Sequence, residues 1–223
     1  MSDTPLVAGP VYGLRTWVVV GPPGEERLAG PHSATPWPDG GRWLTATCAQ
    51  DPGHHAPEHD CVCGLHAWHP DRGAARRVLA PRREVAGVVE CDGAIEVHPE
   101  GFRAERGRPR ALVVTPMRNR TLVTRLATAY TAEVATVDGP DGLVAWCRER
   151  DLGLEPAVVD TLLGPGTVSA FRAAARRRTR LFVGGIAAFI VGAILLALLA
   201  SALLPDPEGP HVVRGRVGEV TVP

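Results

Sequence analysis

Apolar residues along this chain fall into three regimes, and each predicts a different kind of element. Residues 11–20 (VYGLRTWVVV), 42–48, 84–90, 93–98, 101–105 and 111–115 are short runs rich in Val, Thr and aromatic side chains. Turns rich in Gly and Pro separate them, among them Gly21-Pro22-Pro23-Gly24 and Pro36-Trp37-Pro38-Asp39-Gly40. β-Branched and aromatic residues suit a pleated, half-buried surface, and turn residues at this spacing cut the chain into hairpins. The pattern predicts a small antiparallel sheet or barrel. Cys91-Asp92-Gly93 and Pro99-Glu100-Gly101 each place a glycine where a tight turn needs positive φ, so 84–105 is expected as three successive strands.

Past Pro116 the period lengthens. Leu122, Val123, Leu126, Ala127 and Tyr130 recur at helical spacing, and a short strand is expected at 133–137. A second helix carries Leu143, Val144, Trp146 and Cys147 inward. Pro156, whose fixed φ and missing N–H suit the first helical position, opens a third that stops at Gly164. Thr167 is expected to cap a helix that runs on through an arginine-rich stretch.

The third regime is continuous. Residues 181–204 (LFVGGIAAFIVGAILLALLASALL) contain no charge. As a helix they would span roughly 36 Å, against a bilayer core of about 30 Å, so a transmembrane helix is expected. Arg172, Arg176, Arg177, Arg178 and Arg180 precede the span, and only the distant Arg214 and Arg216 follow it. The positive-inside rule then places the N-terminal part in the cytoplasm and the tail outside, at the plasma membrane. The first thirty residues hold no apolar core of signal-peptide length, so no cleavable export signal is expected. Gly184, Ala188 and Gly192 form a small-residue stripe on which a homodimer could pack.

The expected class is therefore α+β: a small antiparallel β-rich domain (1–116), a short helical extension (117–166), an arginine-rich juxtamembrane helix (167–180), a C-terminal transmembrane helix (181–204) and an external tail (205–223). A length of 223 residues suits one ordinary domain and an appendage, which excludes a long multidomain enzyme. The 24 basic residues, all arginine, balance 24 acidic ones, so there is no net field of the kind that gathers nucleic acid, and no nucleic-acid partner is expected. Arginine without lysine, together with abundant Gly and Pro, reads as a GC-rich coding bias.

Candidate chemistry is concentrated in one stretch. Five of eight histidines and three of five cysteines lie between Cys48 and His69. Cys61 and Cys63, two apart, project from one side of an extended segment. In a reducing compartment such thiols favour a metal over a disulfide, and the soft ligand set points to zinc. Cys48, Cys61 and Cys63 with one imidazole would make a closed tetrahedral site, and His55 is the expected fourth ligand, with His54 and His59 behind it. His66 has the wrong strand parity to join. Two alternatives stand beside this: thiols without metal, and a catalytic site with water in the fourth position and Glu58 or His59 as base. Cys91 and Cys147 sit in apolar patterns and are expected as small buried hydrophobes.

The segments YGLRTW (12–17), CVCGLHA (61–67), VAGVV (85–89) and HPEGFRAE (98–105), in this order, resemble a family of uncharacterised actinobacterial proteins with a YGLRxW start, a CxCG(I/L)xA knuckle and an HxxGxRAE hairpin. The likeness covers about residues 11–115. It implies that Cys48, the His54/His55 pair, Cys61 and Cys63 belong to one domain, and it brings no activity with it. Cys91 stands where the family usually has a bulky apolar residue, often Trp, which counts against it as a ligand. In the hairpin motif His98, Arg103 and Glu105 gather near one turn, and Arg15 lies in another motif. With no Ser or Cys in triad order, an Arg–Glu pair bracing the sheet is expected, with ligand or peptide binding as the alternative.

Together these features predict a single-pass membrane protein that presents a zinc-stabilised cytoplasmic interaction or adaptor domain to a protein partner. A membrane-anchored metal-dependent hydrolase and a thiol redox sensor built on Cys61 and Cys63 are the alternatives.

Overall fold

The computed structural model describes residues 10–31, 35–80, 84–116, 120–171, 173–174 and 189–199. Seven strands form one sheet: β1 Val11–Val20, β2 Arg27–Ala29, β3 Leu44–Thr45, β4 Leu65–Trp68, β5 Glu84–His98, β6 Gly101–Val114 and β7 Glu133–Thr136. The sheet is accompanied by α1 Arg72–Leu79, α2 Arg120–Ala129, α3 Pro140–Arg148 and α4 Pro156–Leu163, and residues 167–171, 173–174 and 189–199 are also helical. The α+β, β-rich part of the expected fold class thus stands.

The long hairpin β5–β6 organises the sheet. β1 lies antiparallel along its first half, from Val11 opposite Cys91 to Val18 opposite Glu84. β4 lies antiparallel along the base of β6, with Leu65 opposite Ala104 and Trp68 opposite Gly101. Trp68 also pairs with Leu14 of β1. The ring β1–β5–β6–β4 therefore closes on itself as a small barrel, and β2, β3 and the parallel β7 extend its margins. The three strands expected over 84–105 are instead one bent hairpin. Its register shifts between Asp92 and Ile95, and its only turn in this stretch is Pro99-Glu100. Gly93, at φ +83°, takes the bend rather than a hairpin turn, and a side chain there would collide with the Glu105 carboxylate. A bulge of this kind sharpens local twist, which is how so few strands can close.

Alternation along the strands sorts side chains into two apolar clusters. Val11, Trp17, Leu65, Val89, Cys91, Phe102 and Ala104 face inward and continue into Leu112, Val114 and the buried faces of α2 and α4. Leu14, Ala86, Val88, Ala111 and Val113 face the other way, under α1 and α3. The helical extension 120–163 shares its core with the strands. Tyr130 at the end of α2 fixes one corner: its hydroxyl accepts from Leu28 N–H at 2.9 Å and donates to the Trp37 carbonyl at 3.1 Å.

The membrane expectation is corrected. Among the described residues no helix is long and apolar enough to cross a membrane. Of the span 181–204 the described part is the eleven helical residues 189–199, which rise about 16 Å, roughly half a bilayer core. An uncharged composition does not by itself supply a helix of spanning length. The transmembrane helix, the single-pass topology and the plasma-membrane placement with a cytoplasmic domain and external tail are therefore not retained. Residues 181–188 and 200–204, the arginines at 172 and 176–180, and the tail 205–223 lie outside the described residues. So do Gly184 and Ala188 of the expected dimer stripe, while Gly192 faces open space. Chain contacts divide the protein into units 1–172 and 173–223.

Candidate metal centre

Between β3 and β4 the chain makes a nineteen-residue excursion, 46–64, with no helix or strand of its own. Its order comes from side chains. Cys48, His54, Cys61 and Cys63 bring one ligand atom each into a group whose members all lie within 4.8 Å of one another. Cys48 Sγ is 3.6 Å from Cys61 Sγ, and His54 Nε2 is 3.2 Å from Cys63 Sγ. Two bonds of about 2.3 Å at a tetrahedral centre put their sulfurs about 3.8 Å apart, so a zinc-sized ion fits this set with little movement.

The histidine that joins the three thiols is His54, where His55 was expected. His55 is exposed and takes no part in the group. The choice is made by the turn at 51–53: the Asp51 carboxylate accepts from Gly53 N–H at 2.8 Å, folding the loop so that His54 turns back over the thiols. Asp51 serves the group twice more. Its N–H donates to Cys48 Sγ at 3.3 Å, and its carboxylate stands 3.8 Å from His54 Nδ1. At this distance the carboxylate is a charge contact behind the imidazole and not a hydrogen bond, a looser form of the carboxylate–histidine pairing seen behind zinc ligands.

Electrostatics within the group are uneven. The Asp51 N–H draws the Cys48 thiol down to about 7 against the opposing effect of burial, with Gln50 N–H, Cys61 and His54 adding to the fall. Cys61 receives a hydrogen bond from Cys63 N–H, yet burial and the neighbouring sulfurs of Cys48 and Cys63 raise it overall. Thiols this close resist losing several protons without a cation among them, which a divalent metal supplies.

The loop is bound to the barrel by a residue whose role the sequence does not reveal. Arg103 on β6 stands directly opposite Glu96 of β5 and His66 of β4. Its guanidinium is almost wholly buried. It pairs with the Glu96 carboxylate and donates to the carbonyls of Cys61, of Cys63 at 3.1 Å and of Glu58 at 3.4 Å. The expected Arg–Glu brace exists, but its acid is Glu96. Glu105 instead accepts from Ala94 N–H at the bulge. Gly64, at φ +113°, ends the knuckle tightly against Arg103 and Pro57.

Beside the knuckle lies an open cleft of about 670 Å³ whose polar wall is His59, His66, Glu96, His98 and Arg103. His59 Nδ1 is 3.4 Å and His98 Nε2 3.6 Å from the same Glu96 oxygen. Glu58 is exposed and, like His59, stands outside the metal-ligating group. His66 bonds to the Val62 carbonyl at 2.9 Å and also stays outside. Cys91 and Cys147 are buried apart from the cluster, and burial pushes each thiol up to about 12. No family model, curated protein or solved structure matches the chain.

Proposed function

We propose that this protein is a zinc-stabilised interaction module, in which the metal shapes a binding surface and performs no chemistry of its own. The observation that carries it is the convergence of four candidate ligands, Cys48, His54, Cys61 and Cys63, which would fill a tetrahedral shell without solvent. Zinc would supply folding free energy to a nineteen-residue loop that has no ladder and little apolar burial. At its tip the knuckle holds Val62, 73% exposed, between two cavities. An apolar side chain on a cross-linked backbone suits contact with a protein partner, since little entropy remains to be lost on docking.

A redox sensor is the second possibility, and the 3.6 Å approach of the Cys48 and Cys61 sulfurs makes that pair its candidate disulfide. A metal-dependent hydrolase would need an open ligand position. Metal analysis and zinc-edge absorption spectroscopy on the full chain, purified under reducing conditions, separate the three. About one zinc per chain with three sulfurs, one nitrogen and no oxygen supports the structural site. An oxygen in the shell supports hydrolysis. A metal-free chain that loses two protons in mass on mild oxidation, with Cys48 and Cys61 joined, supports the sensor.

A further inference from the structure

At the wall of a cavity stands a partly buried positive charge, Arg15, that no described carboxylate pairs with. Arg15 projects from β1 on the same face as Val11 and Trp17, toward the inner cluster. Its guanidinium lies 5.2 Å from the centre of the Trp37 ring, and Nη1 donates to the His66 carbonyl. Nε is buried with no hydrogen-bond partner, and among the described residues no carboxylate forms an ion pair with Arg15. Trp17 Nε1, two residues along the same face, is likewise buried and unmatched. Cys91 is the ionisable group that Arg15 senses, and burial pushes that thiol up to about 12, so it is no counter-ion at neutral pH. Burial lowers Arg15 itself to about 10, which still leaves it a cation. A guanidinium without a carboxylate partner offers N–H donors whose spacing matches the two oxygens of a carboxylate.

Arg15 lines a chamber. A cavity of about 640 Å³ at the barrel mouth is lined by Arg15, Trp37, Leu44, Leu65, Thr35 and His66. Its size is that of a small-molecule site, and its walls are mainly apolar with a few convergent polar groups. One arginine without a glycine-rich loop or second cation makes a poor phosphate cradle. Apolar walls around a single fork suit a monoanion with a hydrocarbon body.

We propose that this chamber binds a small organic acid, its carboxylate seated on the Arg15 guanidinium and its apolar body against Trp37, Leu44 and Leu65. The site rests on the zinc-stabilised module in one respect: Val62 and Gly64 of the metal loop form part of its wall. The bound acid would supply the missing counter-charge.

The test uses the full-length, zinc-loaded chain with phenylacetate and octanoate, their uncharged amides, and phenyl phosphate, read by calorimetric titration and by melting temperature. The acids should bind at least about tenfold more tightly than the amides, the difference a charge-assisted hydrogen bond makes. Arg15→Lys, which keeps the charge and loses the fork, should weaken the acids about tenfold. Arg15→Met should abolish the preference for acid over amide while the chain still melts cooperatively, because it removes a partly buried charge that has no carboxylate partner and keeps an apolar side chain of similar length. Equal affinity for acid and amide, tighter binding of phenyl phosphate than of phenylacetate, or a preference that survives Arg15→Met would overturn the assignment. Should that variant fail to fold, the acid–amide comparison on the wild type decides alone. Zinc is counted in the same samples: acids ignored by a chain holding one zinc overturn this site only, whereas a chain without zinc overturns the metal centre.

Discussion

Arg103 Nη1 donates to the carbonyl oxygen of Cys63 at 3.1 Å, so a strand of the barrel grips the backbone of the residue that completes the metal knuckle. The sulfur of Cys63 and its carbonyl are thus committed to different partners. Removing either partner should loosen the loop, but with different signatures.

Substituting a thiol acts on the metal. Cys61→Ser or Cys63→Ser should lose zinc and cooperative melting together, because the binding free energy of a structural zinc is also folding free energy. Cys91→Ser should keep its zinc, since Cys91 lies in the apolar core apart from the cluster. Metal content and thermal melts on the three variants check this.

The two adjacent histidines should separate cleanly. Asp51→Asn, which changes the carboxylate behind the His54 ring, should lower zinc affinity by roughly 10- to 100-fold, and His54→Ala by more than that. His55→Ala should match the wild type. Competition with a chromophoric chelator measures all three, and a loss at His55 with none at His54 would return the ligand assignment to His55.

Arg103→Met leaves the Glu96 carboxylate buried without its cation and deprives three carbonyls of a donor. The expected cost is about 3–5 kcal/mol in denaturant unfolding at saturating zinc. The double variant Arg103→Met, Glu96→Gln should recover part of it, as the stranded charge is gone. An additive loss would show that the two residues do not act as a pair.

Alkaline pH should weaken the fold through its core thiols. Cys91 and Cys147 are raised to about 12 by burial, so above the ordinary thiol range the unfolded chain releases protons that the folded chain keeps. Their contribution is fully present below about pH 8.5 and declines up to about pH 12, at roughly 1.4 kcal/mol per pH unit for each thiol. Replacing both with Ala should flatten the fall in stability between pH 9 and 10.5 relative to pH 8, seen in denaturant titrations.

What the sequence reveals follows the range of the interactions. β1 and α2, α3 and α4 are legible because each carries a local period or a proline start, and β7 because Val and Thr flank a turn. The four-residue β4 has too few positions to alternate, and its place depends on partners far along the chain, Leu14 and Gly101. α1 buries only Ala74, Ala75 and Val78, so no large-residue stripe marks it, although its Asp71 cap, accepting from Ala74 N–H at 2.8 Å, is a signal that composition alone overlooks. Three metal ligands are visible as cysteines in one short stretch. The choice between His54 and His55 is not, because neighbouring histidines are equivalent until a turn points one of them inward. The apolar run 181–204 shows the opposite hazard, a strong local signal taken as sufficient for an element of membrane-spanning length.

The barrel closes where Trp68 meets Leu14, and β4 reaches that joint straight from the metal knuckle through Gly64. A ring joined at one place by so short a strand has a built-in order of opening. Hydrogen exchange on the chelated chain would show amides of β4 losing protection while the β5–β6 hairpin, with its long ladder, keeps it. Such a chain would change from a tube into a curved sheet with two free edges, and free edges recruit other strands. Scarcity of metal would then be felt as a change in which molecules associate with one another, before any global unfolding.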